Sequence, residues 1–160
     1  MKTRKMIVMD LDGTLLNEDG MVTQKTKEYL ANLKKEGYVI AIATGRILKS
    51  ALIATGGAKF TNYIVTDAGA AVYKMQNNNC KEVYAESISR KIAEEIISEF
   101  DDEKFKYIDL CSKDYINRYA TKYFSENKVV RIYADKDSIL RNMDGTTHIS
   151  AGFWKNDFVR

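Results

Sequence analysis

Two aspartates, Asp10 and Asp12, close the short apolar run 5–9, and Gly13 follows them directly. In a parallel sheet the carboxyl ends of the strands open the crevice where ligands bind, and a tight turn there lets both carboxylates face it. Two carboxylates in one crevice repel each other and lose hydration, a cost of several kcal/mol that a bound cation relieves. Their hard oxygens suit Mg2+. Further along, the apolar run 38–43 stops at Thr44-Gly45-Arg46. A hydroxyl and an unobstructed backbone N–H suit phosphate oxygens, and Arg46 adjoins them. Carboxylate pair, Mg2+ and phosphate cradle together point to phosphoryl transfer.

Taken singly, these turns are ordinary, because Asp-Gly and Thr-Gly commonly follow strands. Two other cation- and phosphate-binding loops are excluded by spacing. An EF-hand loop starting at Asp10 needs Gly at its sixth position and Glu at its twelfth. The chain has Leu15 and Met21 there. A P-loop needs a Gly followed directly by Lys and Ser or Thr, which occurs nowhere in the chain.

The elements that must position these residues follow from the pattern around them. Thr23 is a fitting N-cap for a helix over 24–36, where Tyr29, Leu30 and Leu33 share one face. Gly37 stands where a helix-ending glycine belongs. The unbroken apolar run 38–43 reads as a strand covered on both faces. A short helix over 47–54 and a third strand over 62–66 follow. Strand, helix, strand, helix, strand predicts parallel strands with helical crossovers, a doubly wound α/β sheet.

The register then changes. Residues 70–74 and 82–85 read as a hairpin around the polar tip Gln76-Asn77-Asn78-Asn79. An amphipathic helix over 89–100 carries Ile92, Ile96, Ile97 and Phe100 at helical spacing. Runs 105–110, 129–133 and 147–153 read as strands. Between them, 115–124 fits a helix by the period of Tyr115, Tyr119 and Tyr123, and a strand by the propensity of those tyrosines. His148, the sole histidine, sits in an alternating strand-like run and reads as structural. The three tyrosines read as a packed face, and Lys2, Arg4 and Lys5 as a solvated terminus.

Composition narrows the function classes. The 160 residues are 45% hydrophobic and 29% charged, as in a globular domain. Net charge is only +3, without the basic stripe of a nucleic-acid binder. No apolar run approaches the ~20 residues that span a bilayer. The apolar stretch after the basic start is cut off at once by Asp10, which argues against an export signal. Cys80 and Cys111 lack metal-ligand spacing, which argues against a zinc site or a disulfide framework. The expectation is a cytoplasmic protein with no nucleic-acid or membrane partner. The chain contains no proline, and nothing in its chemistry explains that.

At this point the motifs carry a resemblance. Asp10-Leu11-Asp12-Gly13-Thr14-Leu15-Leu16 resembles the first motif of the haloacid dehalogenase superfamily, and Thr44-Gly45-Arg46 resembles the second motif of its Cof-like subfamily. Residues 63–70, Tyr-Ile-Val-Thr-Asp-Ala-Gly-Ala, resemble the segment just before that subfamily's cap insertion. The likeness is close over 5–74 and loose beyond. It implies a Rossmann-like core over 1–82 and part of a type IIB α/β cap over 83–160. It implies that Asp10 is the nucleophile that takes up the phosphoryl group and that Asp12 is the general acid and base. Asp10 and the Asp12 carbonyl would hold Mg2+, while Gly13, Thr44, Gly45 and Arg46 would bind phosphate. The implied substrates are small phosphate esters such as sugar phosphates and flavin-type phosphates.

The chain also departs from that pattern. Ala68 stands where an Asn usually precedes Gly69-Ala70. The Lys of the third motif and the paired acids of the fourth, which follow the cap, have no match, so the resemblance implies either the N-terminal part of a phosphatase or a short form with little or no activity. One alternative is a non-catalytic form that binds phosphate, metal or a partner. Another is a compact, capless phosphatase in which 129–133 pairs beside the first strand and brings Asp135 and Asp137 to Asp10, with Lys122 or Lys128 near. A third is a receiver-like phosphoacceptor domain with Asp67 as acceptor. The resemblance also places the first strand in mid-sheet, with a neighbour encoded after the cap. Without that neighbour its edge must be covered, by 129–133 or by a second copy of the chain in a homodimer.

Overall fold

A computed structural model of the chain describes residues 5–76, 79–100, 105–114, 116–120, 131–133, 135–141 and 145–153. The chain divides into two compact units, Met1–Glu86 and Ser87–Arg160.

The first unit is a mixed five-stranded sheet with helices, the Rossmann-like α/β fold that the sequence pattern predicts. Strands β1 (Met6–Met9), β2 (Val39–Ala43) and β3 (Tyr63–Thr66) run parallel, joined by α1 (Gln24–Lys35) and α2 (Leu48–Thr55). The hairpin of β4 (Ala71–Gln76) and β5 (Asn79–Ala85) adds to β3 antiparallel, so the order is β1-β2-β3-β4-β5. Local chemistry sets the boundaries. Thr23 accepts the Thr26 N–H at 3.2 Å and starts α1. Gly37, at φ 95°, turns the chain out of that helix, and Gly56, at φ 66°, caps α2. Both helices pack on one face of the sheet. Leu30 of α1 and Ala51 of α2 join Ile40, Ile42 and Ile64 in the core, with Ile7 and Met9 against them. The alternate residues of β1, Met6 and Val8, face the other side and are 56% and 55% exposed.

β1 therefore lies at the sheet edge among the described residues, not in mid-sheet. Residues 131–133 form β8 (Arg131–Tyr133), which pairs parallel with β7 (Ile116–Ala120) in the second unit and not with β1. The internal candidate for covering the edge is thereby overturned; residues 129 and 130 lie outside the described residues.

The second unit has a four-stranded sheet of order β8-β7-β6-β9, with β6 spanning Phe105–Cys111 and β9 His148–Phe153. Helix α3 (Arg90–Ser98) buries Ala93 and Ile97 against Ile108 and Leu110 of β6 and Ile139 of α4 (Lys136–Arg141). The ambiguous tyrosine segment is a strand over Ile116–Ala120, and Tyr119 meets Phe100 edge to face at 5.6 Å. Tyr115 and Tyr123 lie outside the described residues. Strand wins there because β6 offers a partner whose charge fits. Arg118 stands directly opposite Asp109 and forms a bidentate pair with it at 2.6 and 2.7 Å, both side chains buried. The Tyr107 ring lies 3.7 Å from the guanidinium carbon.

Candidate functional site

The register of β1 on β2 pairs Met9 with Ile42, so Asp10 and Thr44 leave adjacent strands at the same end. After β1 the chain makes a tight turn over Leu11–Leu15, closed by the Leu16 N–H donating to the Leu11 carbonyl at 3.0 Å. Leu11 is fully buried and anchors the turn. Asp10, Asp12, Gly13 and Thr14 are left exposed. Gly13 adopts φ 73°, a left-handed conformation that any side chain would strain. The turn thus presents two carboxylates and open backbone to solvent.

The second loop is held from within. Thr44 is buried; its N–H donates to the Val65 carbonyl at 3.0 Å, and its hydroxyl accepts the Arg46 N–H at 3.2 Å. Gly45 is exposed, with nothing within 4 Å of where a Cβ would sit. The Arg46 carbonyl accepts the Asp67 N–H at 3.0 Å, tying this loop to the end of β3.

From that fixed backbone Arg46 reaches across to Asp12. Its Nε donates to Oδ2 at 2.9 Å and its Nη2 to Oδ1 at 2.7 Å, while Nη1 lies 3.5 Å from Ser50 Oγ. The fork holds the Asp12 carboxyl below the usual carboxylate range, chiefly through these hydrogen bonds, with partial burial opposing and the guanidinium charge adding. The same contact raises the Arg46 pKa, helped by the Asp10 charge nearby. The sequence marks Arg46 as a phosphate ligand or, equally, as a helix cap or the partner of a surface acid; that the acid is Asp12 is decided by the fold, because no local pattern links positions so far apart along the chain.

Asp67 is buried, at 1% exposure, and its Oδ2 accepts the Thr66 hydroxyl at 2.7 Å. A phosphoacceptor must be reachable by its donor, so the receiver-like reading fails. Asp67 and Ala68 both adopt positive φ, 55° and 54°. Asp135 accepts the Ser138 N–H at 2.7 Å at the start of α4, in the second unit. The position of β8 removes the strand pairing that was to bring Asp135 and Asp137 to Asp10, and with it the compact-phosphatase reading. Lys122 and Lys128 lie outside the described residues.

Among the described residues no three His, Cys, Asp or Glu side chains gather as a metal cluster. The donor set at the turn is the Asp10 carboxylate with exposed backbone, the Asp12 carbonyl included, while the Asp12 carboxylate is engaged by Arg46. That set fits Mg2+, which is commonly held by one or two carboxylates and completed by waters and substrate phosphate oxygens. Among the described residues no helix is long and apolar enough to cross a membrane.

Residues 7–152 match the model of the haloacid dehalogenase-like hydrolases. The chain is 34% identical over 74 residues to the 5-amino-6-(5-phospho-D-ribitylamino)uracil phosphatase YitU of Bacillus subtilis, covering 46% of this chain and 27% of that one. A haloacid dehalogenase-like hydrolase from B. subtilis superposes with a TM-score of 0.69 at 19% identity, over 92% of this chain and 59% of that one. A haloacid dehalogenase subclass IIB sugar phosphatase does so with a TM-score of 0.63 at 18% identity, over 86% and 55%. At such identity the structural likeness is one of fold. The chain spans less than half the length of the curated relatives it matches, the uracil phosphatase YitU among them.

Proposed function

From the premise that the chain belongs to the haloacid dehalogenase-like hydrolase family, we propose that its first unit carries the nucleophile and phosphate-binding half of a Mg2+-dependent phosphomonoesterase site. The observation that carries this reading is the strand register that delivers Asp10 and the Thr44-Gly45-Arg46 loop to one end of the sheet.

In this reading Asp10 attacks phosphorus and the ester P–O bond breaks, leaving an aspartyl phosphate. The departing alkoxide takes its proton from Asp12, which the Arg46 fork keeps ionised at rest and which therefore first takes up a proton from solvent. Water then gives a proton to the Asp12 carboxylate and attacks phosphorus, restoring Asp10 and releasing inorganic phosphate. Thr44, Gly13, Gly45 and Arg46 orient the phosphate. The Asp10 carboxylate and the Asp12 carbonyl would hold Mg2+, which would supply positive charge to offset that of the phosphate. The substrate is a small phosphorylated metabolite, a sugar phosphate or similar ester, in keeping with the substrates in the names of the relatives. We assign 83–160 as part of a cap of the family's α/β type.

The Arg46 fork, which holds both oxygens of the Asp12 carboxylate, favours a second reading, in which the chain alone binds phosphate and metal but turns over slowly or not at all. The family's later lysine and acids are the groups that would offset phosphate charge and complete the metal site. Assay of the purified chain on p-nitrophenyl phosphate and sugar phosphates with millimolar Mg2+ decides between the two. Weak or undetectable turnover is expected. Robust turnover abolished by Asp10→Asn would show that the chain is a complete enzyme.

A further inference from the structure

Arg46 has more than one anion to serve. Its Nε and Nη2 are committed to the two oxygens of Asp12, and Nη1 is directed to Ser50. Its backbone is fixed on both sides, through Thr44 and Asp67, so only the side chain is free to move. That side chain is 30% exposed and that of Asp12 is 58% exposed, so an anion from solvent can reach the pair. A guanidinium prefers two parallel hydrogen bonds to a carboxylate or a phosphate, and the face turned to Asp12 cannot make both at once. Asp12, with both oxygens held, cannot turn toward a leaving group while the fork is closed.

We propose that Arg46 is a positioning latch, holding Asp12 until the phosphate group of a ligand takes over the guanidinium and frees the carboxylate. This rests on the phosphate site described above and adds an order of events to it: phosphate capture by Arg46 precedes the work of Asp12. It also means that Asp12 competes with phosphate in the resting protein, as a tethered anion that weakens binding.

The test is a double-mutant cycle on phosphate affinity, which needs no turnover. Inorganic phosphate is titrated by NMR into the full chain and its Asp12→Asn, Arg46→Ala and doubly substituted variants, with Arg46→Lys as a variant that keeps the charge but loses the fork. Asp12→Asn should tighten phosphate binding about fivefold or more when Arg46 is present, the lower end of common coupling factors. In the Arg46→Ala background the same change should matter far less, because only a repulsive charge is removed. Arg46→Lys should show a coupling between those two. Equal effects of Asp12→Asn in both backgrounds, or weaker binding by Asp12→Asn itself, would overturn the latch while leaving the phosphate site standing. No saturable phosphate binding by any variant would overturn the site reading and the latch with it.

Discussion

Arg46 decides the state in which Asp12 waits. Because its fork holds the carboxyl below the usual carboxylate range, the pair contributes stability above the ordinary carboxylate pKa. That contribution is lost as pH falls through the lowered folded value. Both groups are substantially exposed, so the effect is small and screened by salt. Arg46→Ala should return the Asp12 titration to the ordinary carboxylate range, followed by carbon NMR of the carboxyl; an unmoved midpoint would contradict the pairing. Ala68 offers a second residue-level expectation. Its left-handed φ of 54° costs a side chain with a Cβ about 1–2 kcal/mol, and Asn or Gly adopts that conformation more readily. Ala68→Asn or Ala68→Gly should therefore raise stability by about 0.5–1 kcal/mol in urea unfolding. A loss of stability would mean that the turn relaxes when the chain is in solution.

At the scale of elements, the β6–β7 ladder carries a buried charge pair in its middle. Asp109 and Arg118 stand in register across the ladder, and removing either leaves the other without its bidentate partner. Arg118→Ala or Asp109→Ala should destabilise the second unit by about 3–5 kcal/mol, as for other broken buried pairs. Replacing both with apolar residues of similar volume should recover much of that loss. Denaturant unfolding followed by Tyr fluorescence reads both effects, and single variants as stable as the parent would show that the pair is not held in solution. The β1–β2 pairing works differently. It is short, and its value is positional, since one residue of slip would move Asp10 out of line with Thr44 and exchange Ile7 and Met9 with the residues facing solvent.

At the scale of the whole molecule, the edge of β1, which pairs with no strand other than β2 among the described residues, is the feature that calls for an occupant. The parallel register directs Ile7 toward β2 and leaves the N–H and C=O groups of Met6 and Val8 pointing outward, with exposed apolar side chains beside them. Such an edge recruits another strand. We propose pairing with a second copy, antiparallel about a two-fold axis, which sets Met6 opposite the partner's Val8. Light scattering should then report a dimer, and Val8→Lys, which places a charge on the edge without touching the β1–β2 bonds, should return a monomer. A monomeric parent chain at high concentration would rule the pairing out.

Much of the first unit was legible in the chain. Thr23 and Gly37 mark helix ends through side-chain capping and positive φ, which depend on a few neighbouring residues. The unbroken run 38–43 shows a strand with no solvent face. Asp10-Leu11-Asp12-Gly13 and Thr44-Gly45 are likewise local, and strand–helix alternation places them at one sheet end. What lay beyond the sequence were pairings between distant segments. Periodicity could not choose strand or helix for 116–120, because the choice was made by Asp109 on another strand. The neighbour of β8, the open edge of β1 and the closing of Arg46 on Asp12 are of the same kind. Local chemistry fixes torsions and caps over a turn or two, whereas strand order and ion-pair choice are settled by competition among all the partners that the folded chain brings within reach.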